Sequence, residues 1–197
     1  MGPNAVVLRM ASLFTQKAIS SYKEKRRIFL LSELAKAGYT RDSPELQKDD
    51  FIACFLATED ALNKCASREK ITALANMLVS GVSSGRLFRE PDAYAEILSI
   101  IEGLSERELL ILYWLYKIEE AGAEKDQEEK VGNQAKYISE RLGCTVELSA
   151  ALLTRLERTG LLSVAHGYGG GKSHSLSALA KELRGWVEFQ IDQGSIR

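Results

Sequence analysis

Three prolines in 197 residues, at positions 3, 44 and 91, leave little in the chain to interrupt a helix. Three cysteines, Cys54, Cys65 and Cys144, are odd in number and far apart, which argues against a disulfide framework and predicts a reducing, cytoplasmic setting. The only two histidines, His166 and His174, have no cysteine nearby and no acidic residue between them, so a metal site lacks ligands and no cofactor is expected. No Ser/His/Asp or Cys/His nucleophile arrangement is visible either, and a non-enzymatic protein is expected. Excess charge of one sign is also missing. Twenty-six Lys and Arg stand against 27 Asp and Glu, a net charge of -1, so any binding to nucleic acid must come from a local patch. The longest apolar runs, 109–115 and 148–153, fall far short of the ~20 residues of a membrane-spanning helix, and no membrane partner is expected. Residues 1–9 show no export signal, and Val6 stands where a myristoylation signal has Ser or Thr.

What the chain has is helical periodicity, nearly unbroken to residue 120. Leu13, Phe14, Ala18, Tyr22, Ile28, Leu31 and Leu34 predict one long helix or two, ending before Gly38. Ser43-Pro44-Glu45 predicts the start of a second, running through Phe51, Phe55 and Leu62. Ser67 caps a third, ahead of a loop at 80–85, and Pro91 opens a fourth that ends near Gly103. Ser105-Glu106-Arg107-Glu108 is a capping box in front of Leu109. Residues 119–134 form a charged, glycine-containing run read as a surface loop. Residues 1–50 hold nine basic and six acidic groups, mainly through Lys23 to Arg27, read as a solvated helix face.

Beyond the loop the pattern changes. A short helix over 135–142, a Gly143-Cys144-Thr145 turn and a helix from Val146 to Thr159 make a helix-turn-helix. Residues 161–166 and 173–176 then read as strands joined across 167–172, before a last helix. In this order "LSERELLILYWL", "YISERLGCTVELSAALLTRLERTGLLSVAH" and "SHSLSALAKEL" resemble the winged helix-turn-helix superfamily in a MarR-like arrangement, over about residues 104–190. The resemblance implies a core of Leu142, Leu148, Leu152, Leu153 and Leu156 with Leu112, Leu115, Leu161 and Leu176.

It also implies where DNA contacts would lie. The family's DNA readers carry polar or basic side chains on the first turns of the second helix, where base edges and phosphates need donors. Here those turns hold Thr145, Val146, Glu147, Leu148, Ser149, Ala150 and Ala151, and the carboxylate of Glu147 repels phosphate. Candidate contacts to DNA or to a protein partner are therefore Thr145, Glu147 and Ser149, then Arg155 and Arg158 further along. Lys136 and Arg141 lie on the preceding helix, and His166, Tyr168, Lys172 and His174 on the wing. Most of these suit phosphate, which positions without reading sequence.

A second set of segments, "EKRRIFLLSELAKAG", "SREKITALANMLVSGVSS" and "DAYAEILSIIEGLSERELLILYWL", is similar to bacterial helical proteins of the abortive-infection alpha type over residues 20–116. That resemblance implies a phage-defence or stress setting and no known chemistry. Gly169-Gly170-Gly171-Lys172-Ser173 has the tail of a phosphate-binding loop, but His166 stands where its first glycine belongs and too few residues follow for a nucleotide-binding sheet. The glycines suit a wing tip.

The sequence thus predicts a mainly α protein, with an N-terminal helical bundle over 1–103 and a C-terminal winged helix with one small β-hairpin over 104–197. Two function classes stand: a regulatory protein whose winged helix binds DNA, and an interaction adaptor whose winged helix packs on protein. The apolar stripe of the first helix predicts a homodimer through it.

Overall fold

In the computed structural model, residues 3–120, 134–166 and 172–187 are described, with side chains from residue 15 onward except that of His166. These residues are mainly helical, with one antiparallel hairpin of two strands. No helix among them is long and apolar enough to cross a membrane. The chain divides into two compact units, residues 1–66 with 74–98 and residues 67–73 with 99–197.

The first unit begins with α1 (Pro3–Lys36), a single helix of 34 residues. It stops where Gly38 takes φ +91° and its amide donates to the Ala35 carbonyl, while Tyr39 N–H returns to Leu34. Leu30 and Leu34 are buried. The second helix departs from expectation. Pro44–Gln47 forms only a 3-10 turn, Lys48 is extended with ψ 142°, and α2 (Asp49–Lys64) starts afresh with Asp49 and Asp50 in its first turn. Ser43 does not cap a helix; its hydroxyl accepts the Thr40 amide instead. Two carboxylates at the positive end of α2 supply a better start than the serine six residues before Asp49.

α3 (Arg68–Ser83) begins after Ser67, whose hydroxyl accepts the Lys70 amide. Its far end corrects the predicted loop, because Ser80 and Gly81 stay helical and Gly81 is buried. Close packing around a residue without a side chain outweighs the weak helix preference of glycine. One turn, α4 (Arg86–Arg89), leads to α5 (Pro91–Gly103), opened by proline as expected. Leu62, Leu74, Met77, Leu78 and Leu87 are fully buried in this unit, each contributing roughly 2 kcal/mol of apolar transfer. At its centre Thr58 and Tyr94 share a hydrogen bond of 2.5 Å.

The second unit is built on α6 (Glu106–Glu120), α7 (Gln134–Leu142), α8 (Val146–Arg158), β1 (Leu162–His166), β2 (Lys172–Leu176) and α9 (Ala178–Trp186). The capping box forms: Ser105 N–H donates to Glu108 Oε2 at 2.7 Å and Glu108 N–H to Ser105 Oγ at 3.4 Å. Gly143 with φ +59° turns the chain between α7 and α8, and Gly160 with φ +78° turns it from α8 into the hairpin. The hairpin register pairs Leu162 with Leu176, Val164 with His174 and His166 with Lys172.

Leu112, Leu115, Ile138, Leu153, Leu156, Leu161 and Leu176 are buried. Leu148 is not; it is 37% exposed, because at about 100° per residue it sits roughly 140° around the helix from Leu153. Gln134, expected in the loop, is the first residue of α7 and is buried. Trp186 packs inside at 1% exposure, and Tyr116 Oη donates to the Ala180 carbonyl at 2.5 Å.

Candidate functional site

Several of the sequence-derived candidates lie on α8, on its face turned away from Leu153 and Leu156. The helix is set by Thr145, whose hydroxyl accepts the Leu148 amide, and by Thr159 at the other end. Ser149 and Leu153 point inward, so Val146, Glu147, Leu148, Ala150, Ala151, Arg155 and Arg158 are left exposed.

The sequence-derived candidates divide sharply. Thr145 spends its side chain on the cap. Ser149 is fully buried and donates to the Ala135 and Val146 carbonyls, at 2.5 and 2.8 Å, so it fastens α8 to α7 and contacts nothing outside. Arg155 Nε lies 2.9 Å from Glu108 Oε1, a carboxylate with no exposed surface. Arg155 is therefore the counter-charge of a buried glutamate, whose removal carries a high cost. Arg141 lies over the rings of Trp114 at 4.3 Å and Tyr137 at 4.9 Å, so its guanidinium is stacked although exposed. Glu147, Arg158, Lys136 and Lys172 are exposed.

The hairpin sets His166 opposite Lys172 and His174 opposite Val164, so the two histidines are not cross-strand partners. His174 is half-buried, and neither ring nitrogen has a hydrogen-bond partner among the described residues. Burial pushes its pKa below the ordinary histidine range, Glu157 opposes the shift and Lys172 adds to it. The ring is thus neutral near pH 7 and adds no positive charge toward phosphate. Tyr168 and the glycines at 169–171 lie outside the described residues.

Gln134 was not among the candidates, yet it holds β2. Its Nε2 donates to the His174 carbonyl at 2.6 Å and its Oε1 accepts the His174 amide at 2.7 Å. One side-chain amide thereby supplies the donor and acceptor that a neighbouring strand would supply. No sequence signal singles it out, since it closes a polar run.

Cys54, Cys65 and Cys144 are free thiols. Burial pushes Cys54 up to about 11, with Asp50 adding to the shift, so it is an unreactive thiol. No cluster of three or more His, Cys, Asp or Glu able to hold a metal occurs among the described residues. No protein-family model, no curated protein and no solved structure matches the chain.

Proposed function

We propose that the second unit is a winged-helix-like module used for protein docking, and that the chain is a non-enzymatic interaction adaptor. The order of three helices, a hairpin and a closing helix supports the winged-helix reading. One observation carries the choice of ligand: the outward face of α8 is poor in free donors. It offers Val146, Leu148, Ala150 and Ala151 beside the carboxylate of Glu147, while Ser149 is buried and Arg155 is paired with Glu108. First turns that are apolar with one acid suit a protein surface and repel a phosphate backbone.

A second reading keeps the DNA-binding regulator, on the exposure of Arg158, Lys136 and Lys172. Fluorescence anisotropy with mixed duplex DNA at about 50 mM and about 200 mM salt separates the two, because phosphate contacts lose affinity steeply between them. The docking reading expects no binding at either salt. Salt-sensitive binding weakened by Arg158→Ala and Lys172→Ala would overturn it. We propose a cytoplasmic setting on the odd, widely spaced cysteines, and a connection with phage defence on the abortive-infection resemblance.

A further inference from the structure

Glu147, Ala151, Thr154 and Arg158 follow one another along α8 at steps of four, three and four residues. That spacing keeps side chains on one narrow stripe, roughly 60° wide, and is the spacing along which two helices pack. Glu147, Ala151 and Arg158 are exposed, and the Thr154 hydroxyl turns back onto the Ala150 carbonyl at 3.0 Å. Among the described residues, neither Glu147 nor Arg158 has an ion-pair partner. Two free opposite charges therefore flank a centre of small side chains.

The stripe is its own complement. When a second α8 is laid antiparallel about the point between Leu152 and Leu153, Glu147 falls opposite Arg158 and Ala151 opposite Thr154. Both ends then pair opposite charges, and the small residues let the backbones approach. Parallel pairing would set Glu147 on Glu147 and Arg158 on Arg158. Val146 and Leu148, 43% and 37% exposed, add apolar surface at the ends.

We infer that two copies of this chain associate through an antiparallel, two-fold contact between their α8 helices, with reciprocal Glu147–Arg158 ion pairs around an Ala151–Thr154 centre. The inference rests on α8 being a protein-docking face and names its occupant. The 13 residues of α8 span only about 20 Å by about 10 Å. That footprint falls well short of the ~800 Å² per partner of a stable interface, so the dimer is weak and forms only at high protein concentration.

An acid at the start and a base at the end of a helix also suit its dipole within a single copy, and charge reversal separates the two effects. Sedimentation equilibrium of the full chain, from about 10 μM to about 500 μM, is run on the parent and on E147R, R158E and the double variant, with far-UV circular dichroism to confirm folding. Each single reversal is expected to raise the dimer Kd roughly tenfold or more, since symmetry changes two pairs at once. The double variant, unfavourable to both helix dipoles, is expected to return to within about threefold of the parent because the pairs are restored. Ala151→Arg, at an exposed position in the centre, is expected to abolish association and serves if a reversal does not fold. A parent that stays monomeric, single reversals without effect, or a double variant as weak as the singles would each overturn the inference. A monomer that leaves duplex DNA unbound would retain docking with another protein, whereas a monomer with salt-sensitive DNA binding would remove both readings.

Discussion

Among the described residues each unit buries one glutamate and answers it with an arginine from another helix, but the two glutamates are held differently. In the first unit Glu59 on α2, 5% exposed, receives a fork from Arg27 on α1, with Nε at 3.1 Å from Oε1 and Nη2 at 3.2 Å from Oε2. Arg27 is half-exposed there, and Glu59 holds its pKa further up. In the second unit Glu108 has no exposed surface. One of its oxygens accepts the Ser105 amide and hydroxyl, at 2.7 and 2.6 Å, and the other faces Arg155. Glu59 ties two helices, whereas Glu108 starts one helix and anchors another. The difference bears on function, because Arg155 is held by Glu108 while, among the described residues, Glu147 and Arg158 are the charges of the α8 stripe without an ion-pair partner.

The comparison breaks most visibly at Glu108. Glu108→Ala removes the capping carboxylate and leaves the Ser105 amide and hydroxyl without their acceptor, so a loss of about 2–3 kcal/mol in urea-unfolding stability is expected. Glu59→Ala should cost clearly less, since Glu59 caps no helix start; equal losses would show that the second role of Glu108 adds nothing. Next in size, Thr145→Ala should lower stability by about 1 kcal/mol through the lost cap of α8. No change there would mean that the α8 start is held by packing alone.

The smallest effect is the pH dependence of the hairpin. His174 is held below its ordinary pKa in the folded chain, so below about pH 6.5 the unfolded chain takes up a proton that the folded one resists. Stability is then full above that pH and declines as pH falls below it. Unfolding at about pH 7.5 and about pH 5.5 should show the decline, and His174→Asn should flatten it. A decline of the same size in the variant would place its origin elsewhere.

Features set by neighbours in the chain were legible from sequence, and features set across space were not. The Ser105–Glu108 box, the glycine stop at Gly38, the proline start at Pro91 and the order of helices and strands in the second unit are local signals, and they stand where expected. The Glu59–Arg27 and Glu108–Arg155 pairs join residues 32 and 47 positions apart, with no pattern in between to reveal them. Ser149 and Leu148 exchanged the expected roles, the serine buried and the leucine partly exposed. A buried hydroxyl is stable only with partners, and the Ala135 and Val146 carbonyls that serve Ser149 are supplied by the fold. Gln134 escaped notice for the same reason, since its value lies in matching the backbone of His174 forty residues away. For the candidate site this meant that residue types were readable but availability was not.

On the proposed reading the exposed face of α8 meets protein rather than DNA. A two-dimensional amide NMR spectrum of the labelled chain tests it directly, recorded on raising the protein concentration and again on adding duplex DNA. The account predicts that amides of residues 146–158 shift with protein concentration and stay in place with DNA at low salt. Shifts of those amides and of Lys172 on adding DNA, with none on raising the protein concentration, would contradict it.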